Sequence, residues 1–274
     1  MKPLTDFDKL FSPDVPILLV GAAGIGKTDK VKQAFQYTEV LLLSTCQPED
    51  IGGIPFRKEE EDHRTVSSLF RRLHEADKKG LTTALFLDEL DKANREVADT
   101  LLTLVAHRKI NNAELPKNTC IIAAANPPEF GGGDGISVPM LNRFSVVEQQ
   151  INLNEWVSWI QHEFPESEFR DVINAFREEK IPVFEVVGEG LEQKITSPRS
   201  ITLAFKAIRR LKEQSNLIVE GLVTPNVAQK MLNLLNFHQE YQEVLDKVNN
   251  LHIEEKRNLN TRLAKPVVKK PLVL

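Results

Sequence analysis

Five short apolar runs, each of a length suited to a buried strand, dominate the first half of the sequence. They cover residues 15–20, 39–45, 83–88, 119–125 and 144–151. Helical patterns separate them at 27–37, 65–79 and 92–106, and in the last of these Val97, Leu101, Leu104 and Val105 share one face. This α/β alternation predicts a mostly parallel sheet that has helices on both faces and a ligand site at the carboxyl ends of its strands.

The second half of the chain has a different character. Helical patterns lie near 154–162, 166–179, 197–214 and 225–246, with little that must be strand. The stretch 181–187 suits either a short strand or an extended connector, and from residue 247 the chain turns polar and then rich in proline and lysine. We therefore predict an α/β core over 1–152, a helical domain over 153–246 and a flexible tail over 247–274.

Composition argues against several classes of protein. The 274 residues are 41% hydrophobic with a net charge of −4, which fits a globular protein and argues against one that coats nucleic acid through bulk charge. Cys46 and Cys120 are the only cysteines, so a disulfide framework is not expected and a reducing compartment fits. No apolar run approaches the roughly 20 residues of a membrane helix, and we expect a cytoplasmic protein.

Other polar and aromatic residues predict no further site. The six histidines show no metal-ligand spacing and are expected to be surface or capping residues. The acidic run at 58–62 is expected to be a solvated loop. Trp156 and Trp159, three apart on one predicted helix, are expected in the core.

A glycine-rich stretch between the first apolar run and the first helix matches the pattern G-x-x-x-x-G-K-[ST]. It comprises Gly21, Ala22, Ala23, Gly24, Ile25, Gly26, Lys27 and Thr28. Backbone N–H groups in such a loop converge on phosphates, Lys27 can reach the β and γ phosphates, and Thr28 can bind Mg²⁺. The alternative is a glycine-rich turn with an exposed lysine.

Two further apolar runs end in polar residues. Asp88 can hold Mg²⁺ through its water shell, and Glu89 can polarise a water aimed at the γ phosphate. The alternative for this pair is a helix cap followed by a solvated first-turn acid. Asn126 can hold the attacking water together with Glu89, although an Asn-Pro pair also marks ordinary turns.

These strand ends, in this order, resemble those of the AAA+ ATPases, and the details look most like the MoxR branch. The stretch 141–144 resembles the family's L-x-R-F, in which Arg143 would be the finger presented to a neighbouring subunit's γ phosphate. The stretch 197–200 resembles the sensor-2 motif, with Ser197 as N-cap, Pro198 at the first helical position and Arg199 at the nucleotide in cis or in trans. From the residues alone, Arg143 also suits a helix-end cation and Arg199 a solvated first-turn residue.

Two more stretches agree with the resemblance, which covers about residues 10–215. Residues 44–56 resemble the segment that leads into the branch's helix-2 insert, and 107–118 resembles its hairpin before the asparagine, turning at Asn111 and Asn112. The departures are Ala22 and Ala23, where many relatives have a proline, and a short insert.

The resemblance implies a P-loop NTPase core with a C-terminal helical lid, and an ATPase that uses ATP and Mg²⁺. It implies a homo-oligomeric, hexameric ring in which insert hairpins near 52–64 and 107–118 act on a protein, such as a von Willebrand A-domain protein or a metalloenzyme that needs activation. Two alternatives are a nucleic-acid motor or loader, for which Arg108, Lys109 and Lys117 supply a few cations, and a nucleotide-gated binding module, against which Glu89 argues.

Overall fold

The computed structural model describes residues 8–127, 135–189 and 192–236. The chain divides into two compact units, Met1–Ile151 and Asn152–Leu274. The predicted tail over 247–274, together with His238 and His252, lies outside the described residues. Among the described residues, no helix is both long and apolar enough to cross a membrane.

The first unit alternates strands and helices. In chain order its elements are β1 (Ile17–Val20), α1 (Lys27–Ala34), β2 (Tyr37–Leu42), α2 (Pro48–Gly52), β3 (Pro55–Lys58), β4 (Glu61–Arg64), α3 (Ser68–Lys78), β5 (Thr83–Asp88), α4 (Arg95–His107), β6 (Lys109–Ile110), β7 (Ala113–Glu114), β8 (Cys120–Ala125), α5 (Val138–Leu141) and β9 (Ser145–Glu148). Five of the strands form one sheet in the order β2-β5-β8-β1-β9, and every pairing in it is parallel. The predicted parallel α/β core is confirmed.

The sheet is apolar on both faces, which explains why its strands read as continuous apolar runs. Alternate residues of β5 and β8 enter two different apolar clusters, with Leu85 and Leu87 in one and Ala84 and Phe86 in the other. All four of these side chains are fully buried. Each predicted strand is found, with ends that shift by at most a few residues.

Helix α4 buries the face that the sequence predicts. In α4, Val97, Leu101, Leu104 and Val105 are buried. Asn94 begins the helix, because its side chain accepts a hydrogen bond from the backbone N–H of Val97 at 2.9 Å.

The acidic run at 58–62 differs from the expected loop, since it forms the end of an antiparallel ribbon of β3 and β4. Lys58 pairs with Glu61 in the ladder, and only Glu59 and Glu60 form the turn. Both turn residues have positive φ, 49° and 65°, as a two-residue hairpin turn of the type I′ class requires.

The second unit is mainly helical. It contains α6 (Leu153–Glu163), α7 (Arg170–Arg177), β10 (Glu185–Val187), β11 (Lys194–Thr196), α8 (Pro198–Leu211) and α9 (Asn216–Leu222), and residues 225–236 are also helical. The rings of Phe164, Phe169 and Phe205 contact one another in its core at centroid distances of 4.9–5.5 Å. The helical character is as predicted, and the lid role stays a prediction.

The stretch 181–187, for which the sequence allows a short strand or a connector, contains the short strand β10, which pairs with β11 in an antiparallel hairpin. Lys194–Thr196 has only one apolar residue, so no apolar run marks it as a strand. One expectation about this unit is wrong, because Trp159 is 42% exposed although Trp156 is buried as expected. The buried residues of α6 are Trp156, Val157 and Ile160, and Trp159 lies outside that stripe.

Neither cysteine forms a disulfide, and both are buried. Burial is the main cause that raises the pKa of each thiol, Cys46 and Cys120, to about 11. Both cysteines therefore act as small core residues, as the sequence predicts.

We predict that both thiols resist modification in the folded protein at pH 8. With a pKa near 11, only about one thiol in a thousand is the reactive thiolate at that pH, and burial blocks access as well. Titration with a chromogenic disulfide reagent should detect neither cysteine in buffer and both in guanidinium chloride. Rapid reaction of either thiol in the native protein would contradict this.

Candidate phosphate and metal site

Three neighbouring strands of the central sheet bring the predicted site residues to one edge. The glycine-rich loop follows β1, Asp88 ends β5 and Asn126 follows β8, and these strands lie side by side in the order β5-β8-β1. Because the strands are parallel, their carboxyl ends meet. Side-chain hydrogen bonds of Lys27 and Thr28 connect these segments.

The glycine-rich loop needs glycine at particular positions. Gly24 and Gly26 have φ of 80° and 93°, in the left-handed region that glycine adopts without strain. A Cβ atom on Gly21 would lie 2.5 Å from the carbonyl oxygen of Gln149, so only glycine fits there. Lys27 begins α1 directly after the loop, which aims the helix amino terminus at the same edge.

Lys27 connects the loop with the end of β8. Its Nζ donates hydrogen bonds to the carbonyl oxygens of Gly21 at 2.6 Å and Ala22 at 3.1 Å, and to Oδ1 of Asn126 at 2.8 Å. The ammonium group therefore lies among backbone oxygens and the amide that the sequence predicts to hold a water. Lys27 is half-buried rather than a solvated lysine on a turn.

Thr28 and Asp88 form the second connection. The Thr28 hydroxyl donates to Oδ2 of Asp88 at 2.8 Å across a sequence separation of 60 residues. A carboxylate and a hydroxyl oxygen are ligands that Mg²⁺ prefers, so this pair fits the predicted metal site. The other carboxylate oxygen of Asp88 accepts the backbone N–H of Glu89 at 3.0 Å. The cap of α4 is Asn94, so the alternative role of Asp88 as a cap for that helix does not apply.

Glu89 occupies an unusual backbone conformation. Its φ and ψ are 58° and 46°, in the left-handed region that costs a non-glycine residue about 1 kcal/mol or more. This bend turns the chain out of β5 into a short 3-10 turn, Leu90–Lys92. Lys92 in that turn donates to the Glu89 carboxylate at 3.0 Å. Glu89 therefore has a charged neighbour within hydrogen-bonding distance, unlike a purely solvated acid.

Asn126 is held at its backbone as well as at its side chain. Its N–H donates to Oδ1 of Asp91 at 3.0 Å, and Asp91 is 4% exposed. Sequence reasoning missed Asp91. The only available signal is an acid directly after the apolar Leu90, three residues after Asp88.

Each of the two predicted arginines lies at the end of a helix. Arg143 follows α5, and its guanidinium donates to the carbonyl oxygen of Pro139 at 2.6 Å, the contact expected of a helix-end cation. Its Nε is buried and has no hydrogen-bond partner among the described residues. Arg199 lies exposed in the first turn of α8, where Ser197 is the N-cap and Pro198 comes first, as predicted. The roles of both arginines at a nucleotide stay predictions.

The hairpin of β6 and β7 is tied to the segment that precedes β3. Asn111, in the hairpin turn with φ of 50°, donates from Nδ2 to the carbonyl oxygen of Gly52 at 2.8 Å. Arg108 at the base of the hairpin donates to the carbonyl oxygens of Pro13, Pro116 and Thr119 at 2.6–2.9 Å. Burial lowers the pKa of the Arg108 guanidinium, which serves the fold rather than an exposed anion.

The four described histidines take the predicted surface positions. His63, His74, His107 and His162 are exposed or half-buried. Over the described part of the chain, no group of three or more His, Cys, Asp or Glu side chains could hold a metal ion. The Thr28–Asp88 pair, a hydroxyl with one carboxylate, lies outside that definition.

A known protein family matches part of this chain. The sequence model described as the AAA domain of the dynein-related subfamily matches residues 16–144. No curated protein matches the sequence.

Several solved structures resemble the chain at low identity. A RuvB variant from Thermotoga maritima is 16% identical with a TM-score of 0.45, and the match covers 81% of this chain and 62% of that one. A candidate ATPase from Cytophaga hutchinsonii is 14% identical with a TM-score of 0.40, covering 80% of this chain and 68% of that one. This chain thus spans less than two thirds of the RuvB variant, and nothing about function follows from likenesses this weak.

Proposed function

We propose that this chain, whose residues 16–144 belong to the AAA domain family of the dynein-related subfamily, binds ATP with Mg²⁺ and hydrolyses it to ADP and phosphate. The observation that carries the proposal is the pair of contacts Lys27–Asn126 and Thr28–Asp88, at 2.8 Å each. They gather a phosphate-binding cation, a metal-binding pair and a water-orienting amide at one edge of the sheet. Phosphoryl transfer needs these parts and little else, because its catalysis is positioning and charge stabilisation.

Each side chain has a separate role in the proposed reaction. The loop N–H groups from Gly21 to Gly26 and the Lys27 ammonium bind the phosphates. Thr28 and Asp88 would hold Mg²⁺, which supplies charge neutralisation on the phosphate oxygens.

Hydrolysis additionally needs an oriented water. Glu89 accepts a proton from the attacking water, and Asn126 holds that water in line with the γ phosphate. Glu89 starts the turn that follows β5, and Asn126 starts the segment that follows the neighbouring strand β8. A water between them would therefore have an acceptor on one side and an amide on the other.

We predict that Lys27→Ala and Glu89→Gln separate binding from turnover. Lys27→Ala removes the phosphate-binding charge and should weaken ATP affinity at least about tenfold. Glu89→Gln keeps the shape of the site but cannot take a proton, so kcat should fall by about 10² or more while ATP stays bound. Fluorescent-nucleotide binding and phosphate release measure the two effects. Unimpaired turnover in Glu89→Gln would remove Glu89 as the catalytic residue.

We propose further that the active form is a homo-oligomeric, hexameric ring of the MoxR-like type. The support is the motif around Arg143, which resembles the family's L-x-R-F, whose arginine is presented to a neighbouring subunit's γ phosphate. The described hydrogen bonds of the Arg143 guanidinium use only one of its nitrogens, on the carbonyl oxygen of Pro139. An arginine supplied in trans accelerates phosphoryl transfer by about 10³–10⁵ in switch proteins. Arg199 is proposed to contact nucleotide as well, in cis or in trans.

We predict that inactive subunits complement each other if Arg143 acts in trans. Mixing equal amounts of Arg143→Ala and Glu89→Gln subunits should restore about a quarter of wild-type activity, because about a quarter of the interfaces then join an intact Glu89 to an intact Arg143. Lys27→Ala mixed with Glu89→Gln is the matched control and should stay inactive, since both changes damage the same half of the site. Failure of the first mixture to exceed its components would contradict a trans arginine.

We propose a protein as the target of the ATP-driven movement, with a von Willebrand A-domain protein or a metalloenzyme that needs activation as the leading classes. The β3–β4 and β6–β7 hairpins are the proposed contact elements. The Asn111–Gly52 bond joins the second hairpin to the residues just before the first, so a shift of one would be passed to the other. A nucleic-acid target is less well supported, because Arg108 is occupied by backbone carbonyls and leaves only Lys109 and Lys117 exposed near this hairpin.

We predict that ATPase activity rises with a protein target and not with DNA. Steady-state phosphate release should be compared in the presence of purified von Willebrand A-domain proteins and of single- and double-stranded DNA. Asn111→Gly keeps the positive φ of the turn but removes the bond to Gly52, and should reduce the stimulation. Stimulation by DNA that disappears at higher salt would instead favour a nucleic-acid motor.

A further inference from the structure

We propose that Asp91 is a positioning residue for hydrolysis, which acts by fixing Asn126. The inference rests on the proposed ATPase function and adds to it a residue outside the phosphate, metal and water-binding positions. Asp91 would touch neither the nucleotide nor the attacking water. It would determine where the Asn126 amide stands.

Asn126 needs support because the sheet no longer holds it. The ladder between β5 and β8 ends at the pair Leu87 and Ala123, and the ladder between β1 and β8 ends at Val20 and Ala125. The last bond on the β1 side is donated by the N–H of Gly21 to the carbonyl oxygen of Ala125, at 3.3 Å. Asn126 therefore lies one residue beyond the sheet, and Pro127 after it has no N–H to donate.

Asp91 supplies the bond that the ladder lacks. Its Oδ1 accepts the Asn126 N–H at 3.0 Å, in the place where a neighbouring strand would offer a carbonyl oxygen. The bond is charge-assisted, and Asp91 is only 4% exposed, so water competes weakly for either partner. Burial of a carboxylate costs free energy unless the carboxylate is hydrogen-bonded, so the bond from Asn126 also stabilises Asp91 in its buried position.

The turn that carries Asp91 is itself anchored. Leu90 is 4% exposed and belongs to the apolar cluster on one face of the sheet. Glu89 precedes this turn, so one short segment, 89–91, contains the proposed base and also fixes the backbone of the proposed water-orienting amide. The 89–91 segment thereby controls the distance between the Glu89 carboxylate and the Asn126 amide, the two groups proposed to hold the water.

Loss of the Asp91 carboxylate should therefore affect turnover more than binding. The Asn126 N–H would lose its partner, and the amide would shift relative to Lys27 and Glu89. Displacement of a positioning group by about 1 Å costs up to about a hundredfold in rate. The phosphate-binding loop lies on another segment, and Asp88 is held in the ladder of β5 with β2, so the affinity for ATP should be kept.

A double-mutant cycle with Asn126 tests this inference. Asp91→Ala and Asn126→Ala should each lower kcat about tenfold or more with little change in nucleotide Kd. If Asp91 acts through Asn126, the double variant should lie within about twofold of Asn126→Ala alone. Asp91→Asn retains an oxygen that can accept the Asn126 N–H, so its kcat should fall less than that of Asp91→Ala. This second variant keeps the test possible if the alanine variant does not fold.

Asn94→Ala is the matched structural control, because it removes a nearby helix cap that has no contact with Asn126 in the described structure. It should lower Tm while leaving kcat per folded molecule unchanged. Multiplicative losses in the double variant, or an Asp91→Ala variant that shows only a lower Tm, would overturn the role of Asp91. A wild-type chain that does not hydrolyse ATP would instead overturn the proposed function itself, and this inference with it.

Discussion

Burial of both faces of the central sheet is the constraint on which the rest of the first unit depends. Four consecutive residues of β5, Ala84 to Leu87, have no exposed surface, and all six residues of β8 are buried. No uncompensated polar side chain can lie inside such a strand at an acceptable cost. Polar groups are therefore confined to the strand ends. Because β5, β8 and β1 are parallel, their carboxyl ends lie at the same edge of the sheet. A lysine, a hydroxyl, a carboxylate and an amide can meet there.

The same constraint explains what the sequence could predict. An apolar run predicts a strand that is buried on both faces, and the first polar residues after it are predicted at the edge where the site lies. The local sequence pattern is therefore enough to select Asp88, Glu89 and Asn126 as candidate site residues. Asp91 could not be found in this way. Its partner is 35 residues away, and the contact exists only because β5 and β8 are neighbours in the sheet, an order that no local pattern specifies. The same holds for β11, whose strand character depends on pairing with β10.

Charged residues near the hairpins show why composition is a poor guide to a binding surface. Arg108 looks in the sequence like one of three cations at a hairpin. In the structure it ties the loop at Pro13 to the segment before β8 through backbone carbonyls. On the neighbouring ribbon, Lys58 pairs with Glu61 and Arg57 with Asp62, so opposite charges face each other across the two strands. Composition therefore does not show how the charges on either hairpin are arranged.

The left-handed backbone at Glu89 has an evolutionary consequence. A glycine would adopt φ near 58° without steric cost, so replacing the acid by glycine would relieve strain while removing the carboxylate. A single-nucleotide change converts either glutamate codon to a glycine codon. Under the proposed function, the fold therefore places no barrier between a hydrolysing chain and a descendant that only binds nucleotide. Selection on turnover, and not conformational preference, would then be what keeps a glutamate at this position.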